Sequence, residues 1–205
     1  VKPTNEREGK LMKTSSRFLF LSLMVVPGFA LAHPGHDEVA TFATGFMHPL
    51  LGIDHLLAAL AVGLLAGRCQ GLWRWAMPSM FVAAMLLAFV FARAASSMAM
   101  AELLVAVSLI VLGAFALMGH RLPALLLMAV GFFGGVHGYV HGGEVPAEGS
   151  WIAYAVGLGV ATAIAHGVGV FVGARVERGM QVAVRFAGAL IALFGAGLVG
   201  MQLIG

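Results

Sequence analysis

Charge is what this sequence has least of. Acidic and basic residues fill 10% of its 205 positions, where a water-soluble domain carries roughly 25%. That shortage excludes a water-solvated surface and makes lipid the solvent for most of the exterior. Cysteine is almost missing: Cys69 stands alone, which excludes an intramolecular disulfide and a thiolate metal cluster. Basic patches are missing as well. All three lysines and two arginines (Arg7, Arg17) fall in the first seventeen residues, and the other seven arginines are matched by seven carboxylates. The net charge of +3 therefore offers nucleic acid nothing to bind. Hydrolase signatures are absent too: there is no His-Glu-x-x-His, and Ser108 lacks a Gly-x-Ser-x-Gly-like setting. No ATP-binding motif is present. The chain reads as a non-enzyme, and any transport draws on a gradient or on trapping inside.

What is there is apolar and grouped. Lys13 and Arg17 precede the run Phe18 to Val26, followed by Pro27, Gly28 and the triplet Ala30-Leu31-Ala32. A charged start, a short apolar stretch and an A-x-A site describe a cleavable signal peptide over residues 1–32, with Met12 as its natural starting point. The run is short for a span of about 20 residues, which separates it from an uncleaved anchor helix. Cleavage leaves a tail, residues 33–43, beginning His33-Pro34-Gly35-His36-Asp37-Glu38. A terminal amine and imidazole on one residue chelate a metal, so His33 and His36 are candidate ligands; the alternative is a solvated tail.

Residues 44–205 predict an all-α transport domain of six transmembrane helices over about 44–66, 75–92, 99–118, 122–140, 151–173 and 184–204, each near the length a bilayer needs. Barrel-type alternation is absent, so backbone satisfaction in lipid demands helices. Gly188, Ala192, Gly195 and Ala196 put small residues at helical spacing for close packing. With the amino terminus outside, the inner loops hold Arg68, Arg74, Arg121, Arg175, Arg178 and Arg185, and the outer loops only Arg93. This positive-inside bias agrees with the signal peptide. It predicts a bacterial inner-membrane protein with a periplasmic mature amino terminus.

Ionisable groups inside such helices are expensive and are functional candidates by default. The first helix carries His48, Asp54 and His55. His48 and His55 are seven apart, about two turns, so they share a helix face, with Asp54 about 100° round from His55 on the same turn. Gly52 would thin that helix for a neighbour. Asp54 would lie ~15 Å into the membrane, where a carboxylate needs a cation, a proton or a metal. The fourth helix ends with His137 and His141 at i and i+4, spaced to grip one ion, and Glu144 continues that face if the helix persists past Gly142-Gly143. Glu102 lies near the outer end of the third helix, as a ligand or as a snorkelling side chain. His166, with Thr162 one turn earlier, is the deepest histidine. His120 reads as a solvated loop residue. These groups form a series graded in depth, which permeation requires. Imidazole with carboxylate suits nickel, cobalt and zinc. The twelve methionines are scattered and read as packing filler.

His48-x5-Asp54-His55 with the following Leu56-Leu57-Ala58-Ala59-Leu60-Ala61-Val62-Gly63, the signal peptide with His33-Pro34-Gly35-His36, and His137-Gly138-Tyr139-Val140-His141-Gly142-Gly143-Glu144 together resemble the HupE/UreJ family of nickel permeases. So does the single histidine of the fifth helix, and the likeness covers essentially residues 33 to 205. The related larger nickel/cobalt transporters have one residue fewer between the first histidine and the aspartate. The resemblance implies uptake of nickel, or of cobalt, through the inner membrane. It implies supply to hydrogenase or urease maturation proteins, and it implicates His48, Asp54, His55 and Glu102. Nickel would be cargo, with no resident cofactor. Two rival readings remain: a membrane cytochrome with histidine-ligated haem, and a metal sensor or chaperone that binds without transporting.

Overall fold

The computed structural model describes residues 39–93, 99–118, 123–176 and 180–204. The signal-peptide segment, His33, His36, His120, Arg121 and Arg178 lie outside the described residues. The described chain is all helix: α1 (Phe42–Leu51), α2 (Ile53–Gly67), α3 (Trp73–Ala92), α4 (Ala99–Met118), α5 (Pro123–Gly143), α6 (Trp151–Arg175) and α7 (Gln181–Ile204).

Helices α3 to α7 are each long and apolar enough to cross a bilayer. The expected continuous first helix is corrected. The backbone breaks at Gly52, which is extended (φ −78°, ψ 105°), and α1 meets α2 at 83°. Only by counting this bent pair as one interrupted span does the number of spans reach six. Pro49 lies inside α1 and removes a backbone donor just before the break. Broken backbone at membrane depth is tolerated where protein or a polar site covers it. Here α1 lies on α6: a Cβ on Gly45 would strike the Tyr154 carbonyl, and one on Gly157 the Phe42 carbonyl.

Two helix pairs position the site. On α5, Gly134, Gly138 and Gly142 face Phe81, Met85 and Phe89 of α3 in turn. Both series ascend together, so the helices run parallel, as alternate spans must. At Gly138 a Cβ would collide with the Met85 carbonyl, so glycine sets the distance between the two backbones. Met77, Phe81, Met85 and Phe89 are all buried and form the α3 ridge that fills this groove. Helices α2 and α6 approach in the same way, with Gly63 against the His166 carbonyl and Gly169. The small residues foreseen in the last helix pack on α4: Gly188 meets Gly113, and Gly195 meets the Ala106 carbonyl.

Phe91, Phe132, Phe171, Phe186 and Leu193 point outward and are exposed. Lipid solvates such a surface; water would not. On the side where α1 begins, the Ala40 amide donates to the Glu148 carbonyl (2.7 Å) and the Ser150 amide to the Ala40 carbonyl (2.8 Å). Gly149, at φ +95°, makes this clip possible, because that backbone region disfavours side chains. Thr41 caps α1 through a reciprocal pair with Thr44, and Ser150 caps α6. The clip and the two caps fix the mouth above the helix break.

Candidate metal centre

The break brings its two halves together at one point. His48 sits in the last turn of α1, Asp54 and His55 in the first turn of α2. Their imidazole centroids are 6.5 Å apart. The two histidines therefore meet across a bend rather than along one helix face, which corrects the reason expected for their proximity. Gly52 keeps the bend narrow: a Cβ there would lie 3.0 Å from His55 Nδ1 and 3.3 Å from Asp54 Oδ1.

Helix α5 supplies the other side. It runs through Gly143, and the Glu144 amide still donates to the Val140 carbonyl at 3.1 Å, so Glu144 continues the turn above His141. Glu144 Oε2 accepts from His48 Nε2 at 3.0 Å and lies 3.4 Å from His141 Nδ1. One ligand atom from each of His48, His141 and Glu144 fits within a mutual distance of 4.8 Å. Two ligands held about 2.1 Å from one ion are themselves about 3–4 Å apart, so small inward shifts close this set on a metal. Burial pushes the Glu144 carboxyl up, but the imidazoles of His141 and His48 beside it outweigh that and hold it well below the usual carboxylate range.

The rings then continue inward. His55 lies 4.4 Å from His141 and 5.2 Å from His137, centroid to centroid. It thus stands between the two α5 histidines, whose own rings are 6.5 Å apart. The i, i+4 pair does not face one point by itself; α2 inserts an imidazole into it. Three histidines share a proton arrangement. His55 Nδ1 donates to Asp54 Oδ1 (2.8 Å), His137 Nδ1 to the Phe133 carbonyl (2.8 Å) and His166 Nδ1 to the Ala59 carbonyl (2.8 Å). A carbonyl acceptor obliges the proton of a neutral His137 or His166 to sit on Nδ1, which leaves the Nε2 lone pair free. All three Nε2 atoms are buried without a hydrogen-bond partner. A tautomer held this way is how proteins prepare imidazole for a metal.

Of the other expected residues, Glu102 lies in the first turn of α4 with its side chain exposed, and it acts on His55 only through space. His166 is buried in α6 and has no ring contact with another histidine among the described residues. Residues that sequence reasoning passed over also line the site. Tyr154 is buried 5.7 Å from the His48 ring, and Phe81 lies 5.2 Å from His137 and 5.1 Å from His166. Met85, read as filler, accepts from the Thr162 hydroxyl at 3.8 Å. The signal for Phe81 and Met85 was present: an i, i+4 ridge at 77, 81, 85 and 89 matching an i, i+4 glycine row at 134, 138 and 142.

Fold and site together define a multi-pass helical membrane protein with a buried histidine–carboxylate cluster built around an interrupted helix. The family profile described as HupE / UreJ protein matches residues 21–198, and the chain belongs to that family. Protein HupE of Rhizobium leguminosarum bv. viciae is 34% identical over 190 residues, which cover 92% of this chain and 99% of that one. No solved structure matches.

Proposed function

We propose that this protein is a bacterial inner-membrane permease for a divalent transition metal, nickel first and cobalt next, feeding metal to hydrogenase or urease maturation. One observation carries the reading: a continuous line of imidazoles from Glu144 and His48 through His141 and His55 to His137, with Nε2 of His55 and of His137 lacking a hydrogen-bond partner, inside a lipid-facing bundle. Serial sites of exchangeable ligands suit an ion that must enter and leave. Neutral imidazole and carboxylate suit nickel and cobalt. The proton that Glu144 shares with His48 is what an arriving metal would displace. Membership of the HupE/UreJ family supports the same reading. The positive-inside bias supports a periplasmic amino terminus, and the signal peptide and its His33–His36 collector belong to the proposal with it.

The touching rings favour a bare ion over haem. Centroids 4.4 to 5.2 Å apart leave no room for a macrocycle between the histidines. Uptake of radioactive nickel and cobalt by cells stripped of their own transporters tests the function. Expression should raise uptake of one or both metals. Uptake equal to the empty-vector level, with the protein present in the membrane, refutes the permease and leaves a binding protein. A Soret band in the purified protein would favour the cytochrome.

A further inference from the structure

We propose that Phe81 is the barrier between two metal stations, the outer cluster ending at His137 and a second station at His166, and that displacement of its ring is the gate. The inference rests on the permease reading and adds the route and the residue that blocks it.

The two stations have the same construction. His137 and His166 are both buried. Each gives its Nδ1 proton to a backbone carbonyl and keeps an unpartnered Nε2. Helix packing alone has no use for a buried lone pair without a donor, which costs stability. Phe81, 2% exposed, packs against both rings. Its ring is 5.2 Å from His137 with planes at 59°, and 5.1 Å from His166 with planes at 85°. The side chains of Asp54 (29%), Glu144 (18%), His55 (14%) and His48 (11%) are partly exposed, whereas His141, His137 and His166 are buried. Exposure thus ends before His137 and His166, and the Phe81 ring packs against both.

Movement of the ring would also disturb the backbone packing least. The backbone at Phe81 is pressed on α5, where a Cβ at Gly134 would meet the Phe81 carbonyl. A side-chain rotation leaves that contact intact, whereas a shift of α3 does not. An ion stripped of water finds no ligand on a phenyl ring. An apolar constriction of this kind holds back ions until it opens.

The test uses the full-length protein, purified and reconstituted in liposomes carrying an internal nickel-quenched dye, with nickel binding measured by equilibrium dialysis. Phe81→Leu should speed downhill nickel entry several-fold. Phe81→Trp should slow it about tenfold, as an added barrier of that size requires. Both variants should still bind nickel, because neither removes a ligand. His166→Gln should also slow entry about tenfold while the outer cluster still binds, since only the inner station is lost. A structural role for Phe81 would instead make Leu and Trp fail alike. If either does not fold, Phe81→Met, the residue type of its neighbours on the ridge, replaces it and must exceed the parent rate. Equal flux across the Phe81 series, or parental flux in His166→Gln, overturns the gate while the permease stands. No nickel or cobalt flux in the parent protein overturns both.

Discussion

His55 is the hinge of the ligand cluster at the residue scale. Its ring contacts those of His48, His137 and His141, and Asp54 holds its Nδ1 proton while also accepting from the His55 amide at 2.9 Å. His48→Ala, Asp54→Ala and His55→Ala are each expected to abolish nickel uptake with membrane levels unchanged; parental uptake in any two of them refutes the assignment. Asp54→Asn keeps the shape but weakens the anchor, and should lower uptake roughly 10- to 100-fold, the usual effect of a lost partner behind a ligating histidine. Acid acts on the same groups. Protons and metal compete for the same imidazole lone pairs, so uptake should fall as the medium is acidified. Glu144 behaves oppositely in sign. Its folded pKa is lowered, so its stabilising contacts are complete above the ordinary value of 4.5 and are lost as pH falls toward the folded value. Glu144→Gln should therefore lower the detergent melting temperature at neutral pH, and the gap should narrow in strong acid. A gap that widens on acidification would contradict this.

At the scale of elements, close-packed glycines and one break do the positioning. The α5 row sets the α3–α5 distance and hence how near Phe81 stands to His137. Gly138→Val forces a branched side chain into the Met85 carbonyl and should cost about 1–3 kcal/mol or more, the usual cost of overpacking, read as lower melting temperature and lower membrane levels. Gly135→Ala, beside it in sequence but facing open space, should match the parent. Gly52→Ala makes a subtler change. Its backbone angles suit alanine, but the new Cβ crowds the Asp54–His55 pair at 3.0 and 3.3 Å. Nickel uptake should fall while the melting temperature stays near that of the parent, and loss of both together would assign Gly52 to folding instead.

The whole molecule supplies direction. Arg68 and Arg74 lie at the α2–α3 turn, and Arg68 donates to Gln181, tying that turn to the start of α7. Cys69 sits in the same turn, half-buried, with its thiol 3.6 Å from the Leu65 carbonyl. Burial pushes this thiol up, against the downward pull of Arg68 and Arg74. As the single cysteine it reports orientation. A membrane-impermeant maleimide should label Cys69 in inside-out vesicles and not in right-side-out ones. Labelling should be slow at neutral pH and faster in alkali, since the thiolate is the reactive form. Labelling from the outside would reverse the proposed topology, and with it the reading of Glu144 as the entry side.

Composition and pattern alone settled the solvent of this protein, its helical class and the residues worth testing. Too little charge for water, and apolar runs near bilayer length, leave helices as the solution that satisfies the backbone. His48, Asp54, His55, His137, His141 and Glu144 were legible because polar groups stand out in apolar sequence. Tertiary structure decided how they meet. Spacing along a helix assumes the helix is continuous, and the bend at Gly52 replaced a shared face with two helix ends converging on α5. It also decided which carbonyls take the protons of His137 and His166, that Glu102 stays outside the ring contacts, and that Phe81 packs against both His137 and His166. Those facts depend on contacts between residues distant in sequence, and periodicity within one segment carries no information about its partner.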